Sequence, residues 1–309
     1  MTMSTQTKIN LALLLVLLAA PLAVYPVLLM KLLCFALFAC AFNLLLGFTG
    51  LLSFGHAAFF GGASYVTGHA LKVWGLPTPL GILIGTLAAA VLGAAFARLA
   101  VRRQGIYFAM VTLALAQMIY FLALQMPFTG GENGLQGIPR GTLFGLDLSD
   151  NTTLYYVVLA IFVAGFAFVH RVVHSPFGQV LKAVRENENR AISLGYDTDR
   201  VKQIAFVLSA GLAGLAGSTK AVVFQLASLT DVHWHMSGEV VLMTLLGGVG
   251  TIFGPVVGAA TVIALQNYLS SGPLNGYVPV VIGLIFVVCV LAFRRGIVGE
   301  LRALFQRSF

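Results

Sequence analysis

Charged residues are scarce in this chain. Asp, Glu, Lys and Arg make up 9% of its 309 residues, whereas 59% are hydrophobic and the mean hydropathy is +0.95. A water-soluble domain carries about a quarter of its residues as charged side chains. The composition therefore excludes an ordinary soluble protein and predicts an integral membrane protein with lipid as its solvent.

Cysteine is also sparse, and its three positions do not suggest a metal or redox site. Cys34, Cys40 and Cys289 all lie within apolar runs and lack the paired spacing that zinc or redox chemistry requires. We interpret them as packing residues. Most of the 34 glycines lie inside apolar stretches, where small residues let helices approach closely. They favour a packed helical bundle.

Two features of active transporters are missing. The sequence has no GxxxxGK[ST] motif, so it lacks the loop that cradles ATP phosphates in that way. No acidic residue is predicted in the middle of an apolar run, whereas ion-coupled transporters place ionisable groups or broken helices near the membrane midplane. An ion-coupled secondary transporter and a passive channel for small polar solutes stay as alternatives.

Apolar runs long enough to cross a bilayer recur along the chain. Clear candidates lie at 11–29, 31–47, 80–97, 105–126, 154–170, 201–222, 250–269 and 277–293. Two further segments, 50–70 and 237–248, are glycine-rich or short and are predicted to be broken or re-entrant. We interpret the first run as half of a helical hairpin rather than a signal peptide, since another span follows Pro21 and Pro26 at once. The expected fold is an all-α integral membrane protein of about ten transmembrane segments in one domain, 1–309.

The basic residues predict the orientation of these segments, because lysine and arginine are enriched in cytoplasmic loops. With the N-terminus inside, 14 of the 18 basic residues fall on the inner side, and the four at or near the outer side are Lys31, Lys72, Arg140 and Lys220. Both termini are therefore predicted to be cytoplasmic. This distribution explains the net charge of +8 without a nucleic-acid partner.

Small residues form stripes at helical spacing, where a neighbouring backbone can pack closely. Intramolecular helix packing is the favoured interpretation, and a dimer seam or a moving helix contact stays open. The stripes are Gly81, Gly85, Ala89, Gly93 and Ala97, then Gly211, Gly214 and Gly217, and last Gly250, Gly254 and Gly258.

The long polar stretch 175–203 is predicted to contain a short amphipathic helix on the cytoplasmic side. Ser175 is a good N-cap, Pro176 suits the first helical position, and Gly195 provides a stop. Its apolar edge is predicted at Val180, Leu181 and Val184. The mixed charges argue against simple lipid adhesion. An ordinary solvated loop and a docking element for a soluble partner remain the two readings.

The residues of this stretch resemble a known family. Arg185-Glu186-Asn187-Glu188, Ala191 and Leu194-Gly195-Tyr196 are similar to the coupling loop of permease subunits in the branched-chain amino acid family of ABC importers. Further matching stretches are 43–57, Thr129-Gly130-Gly131 with Gly134, and 246–251 with Gly254-Pro255. The pattern is closest to the LivM-type member of the permease pair. The resemblance implies that the ATP-binding subunit is contacted by Arg185, Glu186, Asn187, Glu188, Ala191, Leu194 and Gly195.

The resemblance also implies a bacterial inner-membrane assembly with a type II importer-like permease bundle. Its other members would be a second, related permease chain, two ATP-binding subunits that hold ATP and Mg, and an external solute-binding protein. This chain itself is expected to bind no cofactor and to catalyse no reaction. Branched-chain amino acids are the best single guess for the solute, while other amino acids, urea, amides and carboxylates stay open.

Polar side chains near the glycine break between the second and third segments are candidates for the solute path. These are Asn43, Thr49, Ser53 and His56. For Asn43 and His56 the alternative is a satisfied interhelical hydrogen bond. Glu239 is predicted to favour a helix N-terminus. The outer loop 127–153 has too many glycines for a long helix, and it either contacts the binding protein or is a simple surface connection.

Overall fold

Helices follow the apolar runs of the chain almost without interruption. The structure, a computed structural model, describes residues 15–22, 24–143, 146–270, 278–292 and 296–300. The bounded α-helices are α1 (Pro26–Thr49), α2 (His56–Lys72), α3 (Thr78–Ala100), α4 (Gly105–Gln125), α5 (Asn151–His174), α6 (Pro176–Glu186), α7 (Glu188–Ser193), α8 (Thr198–Phe224), α9 (Leu229–Val232), α10 (Trp234–Gly247), α11 (Gly254–Ser270) and α12 (Val278–Ala292).

Within the described residues, five helices are long and apolar enough to cross a membrane, namely α1, α3, α4, α5 and α8. The all-α membrane fold expected from composition is confirmed in this sense. The predicted segments 50–70 and 237–248 correspond to shorter helices, α2 with 17 residues and α10 with 14. Of the first predicted run, residues 15–19 are helical and a 3-10 turn at Ala20–Leu22 precedes α1, whose first residue is Pro26.

Several predictions concern residues or side chains that the structure does not describe. They include the inner placement of basic side chains in both terminal segments, and the packing role of the Cys289 side chain. The basic residues in question are Lys8, Arg294, Arg295, Arg302 and Arg307.

α8 lies at the centre of the bundle and packs against α1, α2 and α3. The contact is close because small residues face each other. A side chain added at Gly93 would overlap Ala210, and one at Gly214 would overlap Ala89. At Gly217 an added methyl group would collide with the carbonyl oxygen of Phe60. The neighbouring Gly81, Gly85 and Gly211 lie against Leu71, Thr67 and Ala90 respectively.

A second close contact joins α10 to α11. A side chain at Gly258 would overlap the Met243 carbonyl, and one at Gly254 would crowd the carbonyl of Gly248. Gly250 does not share this helical stripe, because it lies in the turn before α11 with a φ of +77°. The helical spacing predicted from Gly250 is therefore wrong, and this glycine serves a left-handed turn instead.

The outer loop folds back onto the bundle in short pieces, as the prediction of no long helix requires. Strand β1 (Leu135–Gln136) pairs antiparallel with β4 (Leu226–Ala227), which follows α8, and β2 (Thr142–Leu143) pairs with β3 (Leu146–Asp147). Arg140 fastens the loop by donating from Nη2 to the carbonyl oxygen of Val223 at 2.8 Å.

Candidate functional site

The polar stretch 175–203 folds into two short helices rather than one. The Ser175 hydroxyl accepts a hydrogen bond from the backbone N–H of Gly178, so the predicted N-cap of α6 is confirmed. α6 ends at Glu186, and the side chain of Asn187 then accepts from the backbone N–H of Arg190 and caps α7. The predicted stop at Gly195 follows α7 with a φ of +88°.

The apolar edge of this element is turned toward the bundle. Leu181, Val184 and Ala191 are buried, and Val180 is half-buried. α6 contacts α1, α5 and α8. A freely solvated loop would leave these side chains in water, so the stretch is an ordered part of the fold.

Arg185 connects α6 to the end of α1. Its Nη1 donates a hydrogen bond to the carbonyl oxygen of Gly47. The guanidinium also lies next to Gly250, where an added side chain would meet it. The last carbonyl groups of α1 have no partners within the helix. The Arg185 cation satisfies one of them and interacts favourably with the negative end of the helix dipole.

Asn43, on α1, binds the same turn that contains Gly250. Its amide nitrogen donates to the carbonyl oxygen of Thr251 at 2.8 Å, and its amide oxygen accepts from the backbone N–H of Gly250 at 2.9 Å. The three stretches around Asn43–Gly47, Arg185 and Gly250–Thr251 thus meet at one place. We call this set of contacts the cytoplasmic junction.

Glu188 ties the second short helix to α8. Its carboxylate pairs with the ammonium group of Lys202 and accepts from the Thr198 hydroxyl at 3.2 Å. It also accepts from the Gln104 side chain at 3.0 Å, which brings in the connection between α3 and α4. Glu186, between Arg185 and Glu188, is exposed and makes no hydrogen bond or ion pair with any described residue.

The predicted path residues are buried and hydrogen-bonded within the bundle. The His56 ring contacts the Ser209 hydroxyl at 2.8 Å through Nε2, and that hydroxyl donates to the carbonyl oxygen of Ala41 at 2.5 Å. Since the single hydroxyl proton is committed to Ala41, Nε2 must be the donor to Ser209. Thr49 donates to the Leu45 carbonyl, and Ser53 accepts from the backbone of Gly55.

A cavity of about 460 Å³ adjoins this region, between the break that follows α1 and the first turns of α4. Its walls are apolar and include Leu51, Leu52, Phe54 and Met110. The lining of a solute path by Asn43, Thr49, Ser53 and His56 stays a prediction.

Sequence reasoning missed the partners of the ionic groups in the half of the bundle opposite α6 and α7. Lys220 and Asp231 form a buried ion pair with an N–O distance of 2.5 Å, and Asp231 also accepts from the backbone N–H of Ser228. The predicted capping role of Glu239 is wrong, because Glu239 is the sixth residue of α10 and lies beyond its first turn. Its carboxylate accepts from the side chain of Gln266 on α11 instead. The sequence signal for such ionic contacts is a charged residue that lies inside an apolar run.

The long apolar helices and their close glycine contacts define a multi-pass helical membrane protein. Residues 27–290 match the family model described as branched-chain amino acid transport system / permease component. Because this match extends over most of the chain, the protein belongs to that family.

Individual relatives carry the same family's names. The permease protein LivM of the high-affinity branched-chain amino acid transport system is 28% identical over 288 residues in Salmonella typhimurium and over 284 in Escherichia coli. Both alignments cover 84% of this chain and 66% of the relative, so the match spans slightly under two thirds of the LivM length. The Escherichia coli permease protein LivH is 26% identical over 286 residues, which cover 86% of this chain and 91% of LivH. No solved structure matches the chain.

Proposed function

We propose that this chain is a permease subunit of an ATP-driven importer and forms half of the translocation path for branched-chain or closely related amino acids. The family match and the names of the LivM and LivH relatives support the solute class. The observation that carries the transport role is the cytoplasmic junction. It joins an ordered cytoplasmic element to the end of α1 and to the turn between α10 and α11.

The proposed topology has about ten segments with both termini in the cytoplasm, in a type II importer-like bundle. The five long helices and the shorter α2, α10, α11 and α12 supply material for nine of these segments. Arg98, in the last turn of α3, lies at the same end of the bundle as α7, as do Arg102 and Arg103 after that helix, since Gln104 contacts Glu188. This clustering of cations agrees with a cytoplasmic side.

The partner at this side is proposed to be the ATP-binding subunit, which would hold ATP and Mg. The exposed side chains of this stretch include Glu186 and three apolar ones: Ile192, Leu194 and Tyr196. Leu194 is 69% exposed. Exposed apolar and aromatic side chains together with polar ones are typical of protein interfaces.

A movement of α6 and α7 would reach the membrane helices by two routes. Arg185 passes it to α1 and the Gly250 turn, and Glu188 passes it to the first turn of α8. Because α8 packs on three other helices, a rigid displacement of its cytoplasmic end would tilt the centre of the bundle. A second permease chain and an external solute-binding protein complete the proposed assembly in the bacterial inner membrane.

The test is reconstitution in proteoliposomes with candidate ATP-binding subunits, a second permease and a solute-binding protein. Leucine uptake and ATP hydrolysis are measured together. We expect leucine-loaded binding protein to stimulate hydrolysis and uptake. Absence of both, in a complex that does not co-purify, would contradict the importer role.

Two variants separate docking from coupling. Leu194→Asp should abolish co-purification of the ATP-binding subunit, since it places a charge among the apolar side chains of the proposed interface. Arg185→Gln should leave the complex assembled but lower the uptake per ATP hydrolysed by about tenfold, the effect of about 1.4 kcal/mol. The matched control is Arg171→Gln, an exposed arginine at the end of α5. Normal uptake per ATP in Arg185→Gln would contradict the coupling route.

A further inference from the structure

A cavity of about 630 Å³ lies in the outer half of the bundle, between α1, α10, α11 and α12. Its position follows from α1, where Lys31 faces the cavity and Gly47 lies at the cytoplasmic junction. The 16 residue steps from Lys31 to Gly47 span roughly 24 Å at 1.5 Å per residue. The volume is within the range of about 300–1,000 Å³ that small-molecule sites occupy.

The cavity is lined by two charges of opposite sign. Lys31 and Glu239 are both half-buried, and the charge of Glu239 acts on the Lys31 ammonium. Lys31 makes no hydrogen bond or ion pair with any described residue, whereas Glu239 accepts one hydrogen bond from Gln266. Lys220, the other cation whose charge acts on Lys31, is already paired with Asp231.

Such an arrangement is costly unless something else satisfies the charges. Ionisable groups within membrane helices are expensive and usually mark a ligand site or pair with each other. A closed Lys31–Glu239 pair would remove the cost, yet no direct contact joins them. Both groups instead border the same open space.

The remaining lining residues include apolar and polar side chains, the polar ones being His235, Gln266, Asn267 and Ser270. Leu242 and Ile282 are apolar, and Trp234 lies at the outer end of α10. Gly238 and Gly283 leave room, because a side chain added at either position meets no atom within 4 Å.

We propose that this cavity binds a free α-amino acid as its zwitterion, with the carboxylate at Lys31, the ammonium group at Glu239 and the aliphatic side chain against Leu242 and Ile282. This inference rests on the proposed function and names the solute class for a site on its outer side. The predicted path residues around His56 form no part of this cavity. The same two charges are present in a phosphatidylethanolamine headgroup, so the experiment must distinguish a dissolved amino acid from a lipid.

Trp234 provides a reporter inside the cavity. The only other tryptophan, Trp74, is exposed and lies beyond the end of α2, so Trp74→Phe leaves Trp234 as the sole indole. The full chain carrying this change is placed in nanodiscs of phosphatidylcholine alone. L-leucine, isocaproate without the ammonium group, and isoamylamine without the carboxylate are then titrated.

We expect leucine to change the Trp234 fluorescence in a saturable way. Glu239→Gln should weaken binding of leucine and isoamylamine by about tenfold or more, and should leave isocaproate unchanged. Lys31→Gln should weaken leucine and isocaproate in the same measure and spare isoamylamine. Equal effects of both variants on all three compounds, or no effect, would overturn the assignment.

A third variant tests the cavity without altering charge. Gly238→Leu fills the open space and should abolish leucine binding while the thermal midpoint of unfolding is kept or raised, since leucine is the better helix former. Gly62→Leu is the matched control, because an added side chain there also meets nothing within 4 Å but lies on α2. Retained leucine binding in Gly238→Leu would contradict the proposal.

The lipid arm repeats the titration in nanodiscs that contain phosphatidylethanolamine. A fluorescence change on adding this lipid that requires Lys31 and Glu239, with no response to leucine in either membrane, would assign the cavity to a headgroup and overturn the proposal. Transport assays keep the two claims apart. Normal leucine uptake in Glu239→Gln and Gly238→Leu would contradict a role of the cavity in transport but leave the importer role intact. Absent uptake in the wild-type assembly would contradict the importer role itself.

Discussion

The two ends of the bundle treat their charged side chains differently. At the end that contains α6 and α7, Arg185 and Glu188 are each bound to other elements, and Asn187 caps a helix. In the opposite half, Lys220 and Asp231 form a closed pair, but Lys31 and Glu239 border an open cavity. The comparison shows that closed charges fasten elements to one another, whereas open charges leave binding capacity for something outside the chain.

The buried Lys220–Asp231 pair should give the largest effect on stability. Lys220→Met leaves Asp231 buried without a counter-charge, which typically costs about 3–5 kcal/mol. The double variant Lys220→Met/Asp231→Leu should recover much of that loss, because an apolar pair needs no compensation. The measurement is the free energy of unfolding in an SDS titration of the detergent-solubilised chain. Equal stability of Lys220→Met and the parent would show that the pair is open in solution.

The glycine contacts around α8 should give the next effect. Gly217→Ala places a methyl group against the Phe60 carbonyl, and overpacking of this kind costs about 1–3 kcal/mol. Gly238→Ala, at a position with free space, should be neutral or slightly stabilising. The same SDS titration compares the two. A smaller loss at Gly217 than at Gly238 would contradict the packing described for the bundle centre.

The Glu188–Lys202 ion pair should matter less than the buried Lys220–Asp231 pair. Glu188→Gln leaves the buried Lys202 without its counter-charge, but the Glu188 side chain is 22% exposed and water screens part of the interaction. We expect a loss of about 1–2 kcal/mol, in the range of a hydrogen bond to a charged group. Arg200→Gln, an exposed neighbour on α8, is the control. A loss as large as that of Lys220→Met would remove the contrast between the two ends.

The smallest effect is expected from the exposed N-cap of α5, Asp150. The backbone N–H of Thr153 holds the pKa of Asp150 below its usual value of about 3.9. Its stabilisation is therefore fully present above that pH and is lost as the pH falls through the lowered value. Asp150→Asn keeps a good N-cap and removes this contribution. The thermal midpoint measured from pH 6 to pH 3 should fall less in the variant, and an identical fall would contradict this role of the cap.

Local features of the fold were predictable from sequence. Ser175 and Pro176 start α6, and the spacing of Leu181 and Val184 identifies the buried face, because capping and helical periodicity act within a few residues. The break of that helix at Asn187 was not predicted. An asparagine at this position is compatible with the interior of one long helix and with the start of a second helix. In the structure Asn187 caps a second helix, and Glu188 at the start of that helix contacts α8.

The sequence by itself determined that the chain resides in a lipid bilayer and which apolar runs become helices. It also determined which small residues let these helices pack, because composition and helical spacing are local properties. Only the tertiary structure decided which polar groups meet. Asn43 binds Thr251, 208 residues further along the chain, and Gly250 serves a turn rather than a helix face. Lys31 and Glu239 likewise line one cavity only because α1 and α10 pack around the same space. Such contacts depend on the three-dimensional arrangement of distant helices, and no spacing within one helix encodes them.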